Sequence, residues 1–181
     1  KRERYDTELV RLSTAIAPTP STTSADDAER LKRFLFTRWK SGTSSVLLIG
    51  DADIMPVRYM CLDRVTAPAF DYAFYPCDLY YADVAKADAS FDDWNGATSD
   101  FHAAYFGEVR GEKNKSDPMN YDQISYIPEL ALGRWPVSTP AQLKAVIDKT
   151  ITYEKAVLAE KDTPKAAVAM VPVTNLFFRL S

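Results

Sequence analysis

Val46-Leu47-Leu48-Ile49-Gly50-Asp51 is an apolar run stopped by Gly-Asp. Four aliphatic residues in succession leave no polar face, as in a central strand covered on both sides of a parallel sheet. A strand is therefore expected over 45–49, ended by Gly50 and Asp51.

Upstream of that strand, Ala28, Leu31, Phe34, Leu35 and Trp39 recur at three- and four-residue steps, interleaved with Arg30, Lys32, Arg33, Arg38 and Lys40. The spacing predicts an amphipathic helix from Asp26, ended near Gly42, with the basic residues on its polar side. Ala17 to Ser24 reads as a capped loop, and Thr7 to Leu12 carries a short strand signal.

Downstream, residues 53–128 are rich in Tyr, Phe, Asp, Asn and Gly, with strand-like pieces at Leu79–Ala82 and Ala103–Gly107 inside an elaborated loop region. Leu130–Val137 reads as a strand, and Ser138-Thr139-Pro140 opens a helix that should bury Leu143, Val146, Ile147, Ile151 and Tyr153. A polar hinge at 160–164 precedes a second apolar strand, Ala166–Val171. The alternation of strands and helices argues for an α/β fold, a mainly parallel sheet with flanking helices.

The chain has 181 residues, of which 46% are hydrophobic and 26% charged, enough for one sizeable core. A net charge of −3 provides no basic stripe for nucleic-acid phosphates. No stretch reaches the roughly 20 apolar residues that span a bilayer. Lys1 to Tyr5 lack the apolar core of a signal peptide, and the sequence opens in mid-pattern, so secretion stays open. Two cysteines, Cys61 and Cys77, are too few for a disulfide framework or a metal cluster.

Five ordered blocks carry a resemblance: Val46 to Asp51, Ile54-Met55-Pro56, Cys77-Asp78-Leu79-Tyr80-Tyr81, Pro128 to Val137 with Gly133-Arg134 at its centre, and Lys149 to Glu154. Together they resemble the gingipain-like cysteine peptidase family, with an insertion between Tyr81 and Tyr126. The resemblance implies a caspase-like domain and cleavage of protein or peptide substrates by a Cys/His dyad. It places that dyad downstream of this chain, so that residues 1–160 would form the first α/β subdomain and 161–181 the start of a second, truncated one. The remaining half of the catalytic domain would then be a partner, and an extracellular or cell-envelope location is implied.

Hard carboxylate oxygens suit calcium, and a strand-terminal Asp51 beside Glu129 from a neighbouring strand could share one ion. By the resemblance Asp51 and Glu129 match calcium ligands of the family, with Asp122 as a third and backbone carbonyls near Ser125 and Ile127 in support. The plainer alternative is that Asp51 caps a turn and Glu129 pairs with an arginine such as Arg58. Arg134, after Gly133, is read as structural, an anchor for a carboxylate or a carbonyl cluster.

The only imidazole is His102, which lacks the Gly that follows the family's catalytic His, and both cysteines precede it in the wrong order. No catalytic residue is assigned within the chain. Asp92-Asp93-Trp94-Asn95-Gly96 lacks the donor alternation of a calcium loop and reads as an Asn-Gly turn. The run Phe70, Tyr72, Phe74, Tyr75, Tyr80 and Tyr81 is read as packing before it is read as a stacking surface. Two functions follow: a fragment of a thiol endopeptidase, or a non-catalytic, calcium-stabilised binding or structural module with a peptidase-like fold.

Overall fold

The computed structural model describes residues 6–22, 25–61, 74–94, 105–107 and 125–159. The chain divides into two compact units, Lys1–Thr139 and Pro140–Ser181. Asp122, His102, the Asn95-Gly96 turn, Phe70, Tyr72 and the expected 166–171 strand lie outside the described residues.

In the first unit the elements are α1 (Leu12–Ala15), α2 (Asp27–Lys40), β1 (Ser45–Ile49), β2 (Tyr59–Cys61), β3 (Phe74–Pro76), α3 (Leu79–Ala82), β4 (Tyr105–Gly107) and β5 (Ala131–Trp135). Strands β1 and β5 pair in parallel, Ser45 opposite Ala131 and Ile49 opposite Trp135. A second sheet has the order β3-β2-β4, with β2 antiparallel to β3 and parallel to β4. The architecture is mixed α/β, as the alternating sequence pattern required.

Helix α2 starts where the sequence says it should. The Asp26 carboxylate accepts the Glu29 N–H at 2.9 Å, satisfying one of the donors that a first turn leaves open. At the other end Gly42 takes φ +97°, the left-handed step that closes many helices. The buried face is Ala28, Leu31, Lys32 and Leu35, a regular three- and four-residue stripe that includes a lysine.

The core joins Leu31 and Leu35 of α2 to Leu48, Met55, Tyr80, Tyr81, Val84, Trp94 and Leu130. Only one side of β1 faces it: Leu48 is buried, whereas Leu47 is 43% exposed. The uninterrupted apolar run therefore overstated how the strand is covered in this structure. Two further expectations are corrected. Residues 7–11 form no strand and lead into α1, and Leu79–Ala82 is a helical turn that sends Tyr80 and Tyr81 together into the core. A β-rich composition did not outweigh the burial gained by two large rings, which bear on each other edge to face at 5.2 Å.

The second unit is represented by α4, Pro140–Ala159, with Pro140 in its first turn as expected. Of its expected buried face, Leu143 and Val146 are half-buried, while Ile147, Ile151 and Tyr153 are exposed. No helix among the described residues is long and apolar enough to cross a membrane.

Candidate functional site

Four of the five sequence blocks meet at one side chain. Arg134 stands on β5 opposite Leu48 of β1, in the half-buried row that faces the core. Its guanidinium grips Asp78 side-on, Nε to Oδ2 and Nη2 to Oδ1, both at 2.7 Å. Nη1 donates to the Gly50 carbonyl at 2.9 Å, and Nη2 also reaches the Pro56 carbonyl at 3.4 Å. The Tyr81 hydroxyl donates to the same Pro56 oxygen at 2.7 Å. A planar fork with five fixed donors can serve a carboxylate and two carbonyls together, which a lysine ammonium cannot do.

The arginine thus fastens the turn after β1 to the start of α3. That turn is tight: a Cβ on Gly50, whose φ is +148°, would lie 3.2 Å from both Ile54 Cγ2 and Met55 Cβ. Only glycine lets the chain fold back so closely. The Asp51 carbonyl accepts the N–H groups of Ile54 and Met55, and its own N–H donates to Val137 at 3.2 Å. This assembly lies at the carboxyl end of the β1/β5 pair, the end at which open α/β sheets place their ligands.

The expected calcium ligands are not brought together. Asp51 follows the carboxyl end of β1, while Glu129 precedes the amino end of β5, and the strands run in parallel. The five paired positions between them alone span about 13 Å at roughly 3.3 Å per residue. Two carboxylates sharing one calcium sit within a few Å of each other. Both side chains are also engaged: Asp51 Oδ1 accepts its neighbour Ala52 N–H at 2.8 Å, and Glu129 Oε2 accepts Val84 and Ala85 N–H at 2.8 and 3.2 Å. No group of three His, Cys, Asp or Glu suited to a metal occurs among the described residues. The described residues do not fit the ion. Asp51 caps a turn, and Arg58 pairs with Asp26 at 2.6 Å, not with Glu129.

Glu129 has a different task. Its N–H and that of Leu130 donate to the Ala82 carbonyl at 3.0 and 3.2 Å, while its carboxylate takes the next two free N–H groups of the same segment. Backbone and side chain together clamp residues 82–85 to the start of β5.

Cys77 is an unbridged, half-buried thiol. Burial pushes its pKa up, and the neighbouring Asp78 carboxylate adds to that, the opposite of what a nucleophilic thiolate needs.

One charged group was misplaced by the sequence reading. Lys32, assigned to the polar side of α2, is fully buried, with its ammonium 4.4 Å from the Tyr80 ring centre and 4.8 Å from that of Trp94. Its position four residues from Ala28 and one from Leu31 was the available signal, since that spacing puts it in the apolar stripe.

The family model described as peptidase family C25 matches residues 1–171. No curated protein and no solved structure gives a significant match. The gingipain resemblance of the five blocks and this match agree over nearly the whole sequence, and the chain belongs to peptidase family C25.

Proposed function

We propose that these residues work as the supporting part of a cysteine endopeptidase, with the nucleophilic thiol and its imidazole supplied by sequence outside the 181 residues. Family membership implies a caspase-like fold and protein substrates. The observation that carries the reading is the Arg134 assembly, in which the family-like blocks hold one another instead of presenting a reactive group. A thiol peptidase needs a thiolate beside an imidazole. Cys77 is half-buried with its pKa raised, so the one thiol with a described side chain is not prepared for attack. A secreted or cell-envelope location goes with the same reading.

The test is to express the parent coding sequence extended past Ser181 and treat the product with a peptidyl probe that alkylates thiolates. Labelling at a cysteine other than Cys61 and Cys77, abolished when a histidine other than His102 is replaced, supports the reading. Labelling of Cys77 that depends on His102 overturns it.

A further inference from the structure

The pocket around Lys32 belongs to no part of the peptidase reading. Its walls come from α3 and from the segment that follows: the rings of Tyr80, Trp94 and Phe91 have their centres 4.4, 4.8 and 5.8 Å from the ammonium. Asp83 and Asp92, both buried, act on it with their negative charge, and Asp93 and Glu129 add theirs. Arg58 and Arg33 lie against the Tyr80 and Phe91 rings at 5.1 and 4.2 Å, but each is paired elsewhere, with Asp26 and Glu29.

Neither central partner is satisfied. Among the described residues Lys32 Nζ has no hydrogen-bond partner, and neither does Asp83 Oδ1, although Asp83 Oδ2 accepts the Ser125 hydroxyl at 3.0 Å. Asp92 is committed through Oδ1 to the Trp94 N–H at 3.0 Å, and Glu129 to Val84 and Ala85. Asp92 and Glu129 are thus held by the backbone of the segment that Lys32 packs against, and Asp83 by the Ser125 hydroxyl. A buried ammonium without a hydrogen bond pays a large desolvation cost, which aromatic faces and unbonded carboxylates offset only in part.

We propose that Lys32 is the built-in cation of this acidic, aromatic-walled pocket, and that the proton on its amine sets how firmly residues 80–94 are held on α2. With the proton, the amine is drawn to the carboxylates but is left without a hydrogen bond. Without it, the side chain is an apolar post among three rings. Burial pulls the pKa down from 10.5 to about 7, against the pull of Asp92, Asp83, Asp93 and Glu129.

The sign follows from linkage. In the unfolded chain the amine keeps its proton up to about 10.5, and in the folded chain it loses it near 7. Unfolding between those values takes up one proton, so stability rises with pH across the window, and Lys32 adds no slope below it. Acidification from about 10.5 down to about 7 loosens the pocket. Asp83 acts in a separate, lower window: burial raises its pKa, so its own contribution falls as pH climbs above the ordinary aspartate value of 3.8.

Two measurements on the whole chain test this. With lysine carrying a 13C label at Cε, one resonance should titrate near pH 7, and that resonance should be missing in Lys32→Met. The wild-type unfolding constant should fall by up to about tenfold per pH unit above 7, while Lys32→Met shows no such fall. Amide protection at Val84, Ala85 and Trp94, corrected for intrinsic exchange, should be lower at pH 6 than at pH 9 in the wild type and alike at both in the variant. The absence of any lysine resonance that titrates near pH 7, or an unchanged pH slope in Lys32→Met, overturns the proposal. Should the variant not fold, the wild-type titration decides alone.

Discussion

Arg134 and Lys32 are two cations drawn into one core, and they are treated in opposite ways. The guanidinium is met by a carboxylate and two carbonyls, whereas the ammonium has rings and unbonded charge but no acceptor among the described residues. The first is a rigid joint with its donors matched. The second holds a segment in place with a group whose charge is itself marginal. The contrast separates a feature that fixes the fold from one that leaves it responsive to pH.

Breaking the arginine joint should have the largest effect. Arg134→Met leaves Asp78 partly buried without its partner and takes the Arg134 donor from the Gly50 carbonyl, while the Pro56 carbonyl keeps the Tyr81 hydroxyl, at a cost of about 3–5 kcal/mol in a urea unfolding series. Arg134→Lys should recover less than half of that, because one ammonium cannot span the acceptors of the fork. If Arg134→Lys behaves like the wild type, the joint is merely a charge and its contrast with Lys32 disappears.

The turn that Arg134 fastens gives the next effect. Gly50→Ala puts a methyl group against Ile54 and Met55 at a left-handed φ, and should cost about 1–3 kcal/mol. Asp26→Ala should follow at about 1–2 kcal/mol, since it removes the helix cap and the partner of Arg58. Burial works to raise the Asp26 pKa, but the Arg58 hydrogen bond, the Glu29 N–H and nearby positive charge outweigh it and hold it below 3.8. Its contribution is therefore present above that pH and lost as pH falls through the lowered value. An acid unfolding curve for Asp26→Ala should lack that loss.

These residues differ in how far they could be read in advance. Asp26, Gly42 and Pro140 obey local rules of capping, so the helix boundaries were legible. Arg134 was legible as an anchor, but its acceptors lie 56 to 84 positions away in sequence, and no periodicity reports a contact at that range. Lys32 was misread because charge was given more weight than its place in the 28-31-32-35 stripe. Glu129 was misread because two strands known to be neighbours still leave their direction and register open. The parallel pairing that sends Asp51 and Glu129 to opposite ends is a tertiary fact. Leu79 to Ala82 shows the same limit, as aromatic β-formers became a helical turn where burial called for it.

The smallest effect on stability is the most informative about chemistry. Cys77 opens the block Cys77-Asp78-Leu79-Tyr80-Tyr81, and its thiol makes no disulfide. Cys77→Ser should shift stability by no more than about 1 kcal/mol, because a half-buried thiol contributes little beyond its volume. Burial and the Asp78 charge hold the thiol protonated above its ordinary value of 9.0. Alkylation by iodoacetamide at pH 8 should therefore be slower at Cys77 than at a free thiol, and should climb only at more alkaline pH. Rapid alkylation at neutral pH would mean a stabilised thiolate beside the Arg134 assembly. The carboxyl end of β1 would then hold a reactive group of its own, and its reading as a scaffold would fail there first.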